Sequence, residues 1–146
     1  MASMSKHFSE LELMCRCGCG LCEIDLRLLK GLETYRELTG KPCHVTSACR
    51  CEAHNRTVGG SPTSQHLASP EHGGMAADIH TDGLSVAQMA LAAEQVLEIR
   101  EGGLGLYTQN GFIHIDVRPK RKRWSYINGQ YLIGLGPGIR WPGDDE

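Results

Sequence analysis

The segment that most constrains the fold of this chain runs from residue 64 to residue 80 and reads Ser-Gln-His-Leu-Ala-Ser-Pro-Glu-His-Gly-Gly-Met-Ala-Ala-Asp-Ile-His. It holds three histidines, one carboxylate between apolar residues, and a Gly-Gly pair that permits a tight turn. A later segment, 112–117, alternates His114 and Asp116 with apolar residues, which predicts a half-buried strand. A catalytic zinc ion takes three protein ligands, often imidazole and carboxylate groups. We therefore expect a fold that brings these two segments together around one metal ion.

Three residues of these segments are the predicted ligands: His66, Asp78 and His114. A single histidine on a strand is more often a hydrogen-bonded core residue or a surface residue than a metal ligand. Asp78 and His114 differ because apolar neighbours surround both of them, and burying a polar group without a partner costs free energy. The pattern alone leaves two interpretations open, a zinc site and a buried Asp–His pair without metal.

The composition restricts the class of protein. A chain of 146 residues is long enough for one domain with a real core, so we treat 1–146 as a single domain. The formal charge of −2 argues against nucleic acid as the main partner, and no apolar run approaches the length of a membrane span. The N-terminal residues lack the apolar core of a secretory signal. We therefore expect a monomer that is cytoplasmic as synthesised.

The seven cysteines form two groups, four of them between residues 15 and 22 and three between residues 43 and 51. Without an export signal a disulfide framework is disfavoured, and metal binding or reduced thiols are favoured. The spacing Cys-x-Cys-x-Cys-x-x-Cys does not match a standard zinc ribbon. The sequence favours a reduced Cys-rich loop packed against 43–51, with a second, structural metal as the alternative.

Apolar spacing predicts two main helices. From residue 23 to residue 39, apolar residues recur at three- and four-residue steps and stop before Gly40, which predicts one helix. The apolar positions are Ile24, Leu28, Leu32, Tyr35 and Leu38. A second helix begins with a capping box at Ser85 and is expected to continue, with Leu97 on its apolar side, to the glycines at 102–103.

Strands are predicted at 43–47, 104–107, 112–117, 124–127 and 130–133. Asn-Gly pairs at 110–111 and 128–129 are typical of tight hairpins, so the sheet should be mainly antiparallel. Two helices packed on such a sheet belong to the α+β class, here a small sheet that carries the zinc site. The Cys-rich segment 1–22 precedes this unit, and the Gly/Pro-rich tail 134–146 is expected to be peripheral.

Three motifs carry a resemblance to a known family: Ser64-x-His66, Gly74-Met-Ala-Ala-Asp78, and Phe-Ile-His114-Ile-Asp-Val. They resemble the zinc D-alanyl-D-alanine carboxypeptidases and murein endopeptidases, whose zinc fold is shared with the hedgehog signalling domain. The likeness to the bacterial and phage branch extends over residues 8–124. Its other motifs are Phe8-Ser-Glu, Thr46-Ser-Ala-Cys-Arg50, His54-Asn-Arg56-x-Val-Gly-Gly60 and Val117-Arg-Pro-Lys-Arg-Lys-Arg-Trp124. The resemblance implies a zinc peptidase domain that cleaves peptidoglycan stem peptides.

The chain departs from that family pattern in two places. The loop between His66 and Asp78 is longer than usual, so His72 is an alternative ligand, and His66 is preferred because it alone follows the Ser-x pattern. In relatives the general base often lies just before the final ligand, where this chain has glycine and phenylalanine. The nearest carboxylate is Asp116, which is predicted either to act in catalysis as the base or to orient a ligand from behind.

The resemblance also implies two substrate-binding residues. Arg50 matches the family arginine that faces the substrate carboxylate and the developing oxyanion, so we assign it to both substrate binding and catalysis. Ser64 is expected to hydrogen-bond the substrate or to support its loop. The basic run 118–123 is by default a solvated face, and alternatively attracts anionic wall polymer.

Three functions remain open at this stage. The leading prediction is a zinc metallopeptidase, either a carboxypeptidase or an endopeptidase, that degrades the cell wall, with a phage or prophage endolysin as one form of this prediction. Such a protein would act on the wall after release by lysis or as part of a phage. The alternatives are a phage tail or structural protein that binds wall peptide without turnover, and a non-enzymatic module that binds metal through its cysteines.

Overall fold

The computed structural model describes residues 4–69 and 71–134, which form five helices and six strands. The helices are α1 (Glu10–Leu13), α2 (Leu26–Thr39), α3 (Glu52–Thr57), α4 (Val86–Ala93) and α5 (Leu97–Arg100). The strands are β1 (His44–Ser47), β2 (Ala76–His80), β3 (Gly103–Tyr107), β4 (Phe112–Asp116), β5 (Lys122–Ile127) and β6 (Gln130–Ile133). The tail predicted to be peripheral, 134–146, lies outside the described residues except for Gly134.

All six strands form one sheet in the order β1-β2-β4-β3-β5-β6. Every neighbouring pair is antiparallel except β3 and β5, which run parallel. The two longest helices, α2 and α4, join the same core cluster as the sheet. The predicted α+β class and the mainly antiparallel sheet are therefore confirmed. No helix among the described residues has the length and apolar character needed to cross a membrane.

The hydrophobic core lies between one face of the sheet and the helices. Alternate residues of the central strands point into it, as the two-residue period of a strand requires. The sheet contributes Ala77, Ile79, Leu104, Leu106, Ile113 and Ile115, all buried. The opposite residues of the same strands, among them Asp78 and His114, therefore point away from the helices. One face of the sheet therefore packs against the helices, and the other face carries polar side chains.

Helix α2 begins three residues later than predicted. The carboxylate of Asp25 accepts a hydrogen bond from the backbone N–H of Arg27 and caps the helix, so the chain before it stays extended. The helix ends at Gly40, whose φ of 64° is left-handed, as predicted. Leu38 was expected on the apolar face but is exposed, because the core side of the helix ends with Tyr35.

The second predicted helix is interrupted. Its capping box at Ser85 is present, but α4 ends at Ala93 and a separate short helix, α5, follows. Val96 between them is extended and fully buried, so the break places its side chain in the core. Leu97 was predicted on the apolar side and is instead exposed, because the chain changes direction at this break.

Both hairpins predicted from Asn-Gly pairs are present. Asn128 and Gly129 have φ values of 52° and 77°, the two positive values that a type I′ turn requires. The first pair also connects adjacent antiparallel strands, β3 and β4, with Gly111 at a φ of 75°. These turns fix the register of the strands that carry the polar face.

Candidate metal centre

Cross-strand pairing aligns the polar face of the sheet into rows. Asp78 on β2 lies opposite His114 on β4, and His114 lies opposite Gly105 on β3. Gly105 in turn lies opposite Trp124 on β5. Residues directly opposite on neighbouring strands have side chains about 5 Å apart on one face. His66 comes from the loop before β2 and lies over the same row, with its ring centroid 5.1 Å from that of His114.

Three predicted ligands meet at this row. The Nε2 atom of His66 is 3.4 Å from the Oδ1 atom of Asp78, and the Nδ1 atom of His114 is 3.1 Å from the same oxygen. Zinc binds nitrogen and oxygen at about 2.0–2.2 Å, so ligand atoms in a tetrahedral site lie about 3.3–3.6 Å apart. Two imidazole nitrogens directed at one carboxylate oxygen fit a three-ligand cation site, and all three donor atoms lie within 4.8 Å of one another.

Hydrogen bonds on the far side of each imidazole orient the ring. The Nδ1 atom of His66 lies 2.7 Å from the backbone oxygen of Ala48, which accepts its proton. The Nε2 atom of His114 lies 2.8 Å from the Oδ2 atom of Asp116. These outer contacts leave Nε2 of His66 and Nδ1 of His114 facing Asp78 at the centre. Such partners fix the tautomer of histidines that bind metals.

Burial and these contacts set the charge of each group. Burial favours the neutral form of His66 and lowers its pKa. Burial also disfavours the charged form of His114, but hydrogen bonds to Asp116 and Asp78 outweigh that effect and raise its pKa. Burial opposes ionisation of Asp78, yet hydrogen bonds from His114 and His66 hold its pKa well below its usual value. Asp78 is therefore an anion at neutral pH, as a metal ligand must be.

Asp116 lies behind His114 and has no access to solvent. Its carboxylate accepts hydrogen bonds from the backbone N–H of Gly103 at 2.8 Å and from the Nη2 atom of Arg118 at 2.6 Å. Burial opposes its ionisation, but His114 and Arg118 lower its pKa overall. With both oxygens engaged away from the solvent, Asp116 fits the orienting role considered for it and has no path to a substrate.

The other histidines lie apart from this centre. His72, the alternative ligand, is exposed and lines a separate cavity beside Leu67. His80 stacks on His44 with ring centroids 4.8 Å apart. The structure thus brings His66, and not His72, to Asp78 and His114.

Arg50 and Ser64 both line the groove above the centre. Ser47 and Asn55 hold the guanidinium of Arg50, with Nε 3.3 Å from the Ser47 hydroxyl and Nη1 3.2 Å from the Asn55 side-chain oxygen. The Nη2 atom points to Asp78 at 3.8 Å. The hydroxyl of Ser64 accepts a hydrogen bond from the backbone N–H of His66, which fits the loop-supporting role.

The groove has a volume of about 700 Å³. Three cationic side chains line it, those of Arg50, Arg118 and Lys122. Its other wall is a row of cross-strand aromatic rings with centroids 4.5–5.8 Å apart: Phe112, Tyr107, Tyr126 and Tyr131. A cationic groove with an aromatic wall suits an anionic, partly apolar ligand.

Comparison with known proteins identifies the family of this chain. A sequence model described as peptidase M15 matches residues 6–116, which is most of the chain and includes all three predicted ligands. The chain belongs to the peptidase M15 family. The relationship to the zinc cell-wall peptidases inferred from the motifs is thereby confirmed.

Among curated proteins, the M15 chain is 33% identical over 88 residues to the peptidoglycan L,D-endopeptidase MepK of Escherichia coli K12. The same identity is found with MepK of Shigella flexneri. The alignment covers 57% of this chain and 44% of the relative, so the chain spans less than half the length of these proteins. No solved structure matches the M15 chain significantly.

The basic run of the M15 chain is largely engaged in the fold rather than solvated. Arg118 binds Asp116, and both Arg121 and Arg123 pair with Glu94 at the end of α4. Only 3% of the Arg123 side chain is exposed. The arginines of this run therefore position the site and its supporting helix, in contrast to the solvated face expected by default.

Two glycines of β3 leave room for side chains of the site, and neither was predicted to belong to it. A Cβ on Gly103 would lie 2.3 Å from the carboxylate of Asp116, and one on Gly105 would lie 2.4 Å from the indole of Trp124. The indole ring lies 5.0 Å from His114 between centroids. Glycine within a strand often marks such a close approach, so the Gly-x-Gly pattern was the available signal.

We expect Gly105→Ala to lower the free energy of unfolding by about 1–3 kcal/mol, because its methyl group would displace Trp124. The matched control is Gly31→Ala in α2, where a Cβ meets its nearest neighbour at an ordinary 3.7 Å. That change should raise the free energy of unfolding by about 0.5–1 kcal/mol. Denaturant unfolding of both variants measures the difference. Equal effects of the two substitutions would contradict the close approach to Trp124.

Proposed function

We propose that this chain is a zinc-dependent peptidase that hydrolyses a peptide bond in peptidoglycan stem peptides. The observation that carries the proposal is the convergence of three donor atoms, from His66, Asp78 and His114, at the base of a cationic groove in an M15 chain. Its proposed place of action is the cell wall.

His66, Asp78 and His114 would hold the zinc through Nε2, a carboxylate oxygen and Nδ1, respectively. Bound zinc polarises a peptide carbonyl and activates water near neutral pH. The chain keeps the site ready for the ion, because Ala48 and Asp116 fix the two imidazole tautomers. Asp116 is in this account a positioning residue.

Arg50 is proposed to bind the substrate and to stabilise negative charge on the scissile carbonyl. Its guanidinium is held in place by Ser47 and Asn55 and points to the oxygen of Asp78 at the centre. A planar guanidinium forms paired hydrogen bonds with a carboxylate or an oxyanion. Arg118 and Lys122 add positive charge along the groove, which suits stem peptides that carry several carboxylates.

We favour an endopeptidase over a carboxypeptidase. The curated relatives are L,D-endopeptidases, although the alignment covers only part of each. A groove of about 700 Å³ is also large enough for several residues of a peptide rather than a single terminal residue. Both observations support cleavage of an internal bond.

Binding of wall peptide without efficient turnover is the second candidate function, and one observation favours it. Within the described residues, Asp78 is the sole carboxylate that lines the groove, so no side chain there is an evident general base. Such a protein would bind stem peptide through the same cationic groove.

Product analysis on purified muropeptides separates the two functions. We expect the zinc-loaded chain to convert a cross-linked or tetrapeptide muropeptide into two fragments whose masses identify an internal cut. Release of a terminal alanine alone would replace the endopeptidase with a carboxypeptidase. Stoichiometric binding of intact muropeptide with no fragments would favour the wall-binding function.

A further inference from the structure

The N-terminal loop and the segment after β1 bring four cysteines together at one point. Cys15, Cys17 and Cys19 come from the loop after α1, and Cys51 lies just before α3. Their four sulfur atoms all lie within 4.8 Å of one another. Cys15 is 1% exposed while Cys17 and Cys19 are exposed, so the group sits at the surface with one buried member.

We propose that Cys15, Cys17, Cys19 and Cys51 bind a second zinc ion, in a structural site separate from the histidine centre. The Zn–S distance is about 2.3 Å, so sulfur atoms in a regular tetrahedral site are about 3.8 Å apart. The measured distances are 3.5 Å for Cys15–Cys17, 3.8 Å for Cys15–Cys51 and 3.7 Å for Cys17–Cys51. On binding, the thiols release their protons to solvent.

The loop is shaped to hold its sulfurs at this point. The backbone N–H of Cys15 donates to the carbonyl oxygen of Leu21 at 2.8 Å, which closes the loop. Gly18 and Gly20 have φ values of 85° and 84°, which glycine adopts without steric cost and which let alternate cysteines turn inward. Arg16 ties the loop to the domain through carbonyl oxygens of α1 and β1.

Backbone groups also favour negative charge on the sulfurs. The N–H of Cys51 points at the sulfur of Cys15 at 3.4 Å, and the N–H of His54 points at the sulfur of Cys51 at 3.3 Å. Hydrogen bonds of this kind support metal-bound thiolates. Four cysteines leave no open coordination position, which is the mark of a structural rather than a catalytic zinc site.

The remaining cysteines differ in their contacts. The thiol of Cys49 donates to the carbonyl oxygens of Leu13 and Leu21 at 3.3 and 3.4 Å, so it keeps its proton. Cys22 points to the carbonyl oxygen of Glu10 at 3.7 Å, and Cys43 is buried in the core. The seven cysteines thus divide into one four-sulfur group and three separate thiols.

The site would fasten the N-terminal loop to the wall of the groove. Cys51 directly follows Arg50, and α3, which begins after Cys51, carries the Asn55 that holds the Arg50 guanidinium. A zinc ion at the cysteines would therefore anchor the residue after the arginine and the start of the helix that holds its guanidinium. Its loss should loosen the Arg50 segment, while Asp78 and His114 stay in place on the paired strands β2 and β4.

Cobalt substitution of the full chain tests the site without relying on catalysis. Cobalt bound to cysteine sulfur gives an intense thiolate-to-metal charge-transfer absorption, which histidine and carboxylate ligands do not give. We expect this absorption in the cobalt-substituted wild-type chain and in cobalt-substituted His114→Ala. The zinc-loaded proteins should contain two zinc ions per wild-type chain and one per His114→Ala chain. The separate readouts distinguish failure of the cysteine site from failure of the histidine centre.

The double variant Cys17→Ala/Cys19→Ala should lose the charge-transfer absorption and one zinc ion per chain. Cys22→Ala is the matched control and should retain both, because its sulfur lies outside the four-sulfur group. The proposal is overturned if the wild-type chain shows no such absorption, or if the double variant keeps it. Disulfides among these four cysteines in the freshly purified protein, detected by mass after alkylation, would also overturn it.

Discussion

His66→Ala is expected to lower kcat/KM on a defined muropeptide by at least about a thousandfold, whereas His72→Ala should keep most of the activity. Removing His66 takes one of three ligands from the proposed zinc, and each 1.4 kcal/mol of lost transition-state stabilisation lowers the rate tenfold. His72 is exposed and lines a separate cavity, so its loss removes nothing from the centre.

Zinc content is the companion measurement for this pair. His66→Ala should lose the zinc of the histidine centre and His72→Ala should retain it, with both variants folded by circular dichroism. The reverse ranking, with His72→Ala inactive and His66→Ala active, would transfer the ligand role to His72. It would also mean that the loop from Ser64 to Gly74 is arranged differently when metal is bound.

Arg50→Lys is expected to lower kcat/KM by about ten- to a thousandfold while the chain keeps its zinc and its fold. This range corresponds to about 1.4–4 kcal/mol of transition-state interaction. Lysine keeps the positive charge but lacks the planar fork that binds a carboxylate through two hydrogen bonds, and it cannot reproduce the contacts to Ser47 and Asn55.

Arg27→Lys is the matched control for this substitution. Arg27 is an exposed arginine at the start of α2 with an ion pair to Asp25, and it does not line the groove. Its replacement should leave kcat/KM unchanged. An unchanged value for Arg50→Lys as well would remove Arg50 from the substrate-binding site and from the proposed mechanism.

Local sequence patterns predicted which helices and strands form more accurately than the residues at which the helices begin and end. The capping box at Ser85 and the Asn-Gly pairs of both hairpins were predicted, because these signals act within a few residues, whereas the cap at Asp25 was missed. The break at Val96 was missed since a buried position in the core decided it, and local periodicity carries no such information.

In the candidate site, too, the residues were predicted but their arrangement across the sheet was not. His66, Asp78 and His114 were predicted as a set from motif and resemblance, and the structure brings their donor atoms together. The row that joins Asp78 and His114 to Gly105 and Trp124 was not predicted, because it depends on the parallel pairing of β3 with β5. Strand order and register between distant segments are set by the whole sheet.

The cysteines are a further case in which the fold, and not the sequence spacing, determines which residues form a group. The spacing in motif 15–22 does not match a zinc ribbon, so the sequence favours a packed loop of reduced thiols, with a second, structural metal as the alternative. The fourth sulfur, that of Cys51, comes from a segment 36 positions away from Cys15. Packing of the loop against 43–51 was predicted, but only the fold identifies Cys51, rather than Cys43 or Cys49, as the fourth member of the group.

Muropeptide hydrolysis by the wild-type chain, after zinc has been removed and then returned, tests the catalytic zinc site directly. We expect hydrolysis to stop when a chelator removes the zinc and to recover when zinc is added back to the wild-type chain. The same treatment should give no recovery with His66→Ala. Continued hydrolysis by fully metal-free protein would contradict the assignment of His66, Asp78 and His114 as a catalytic zinc site.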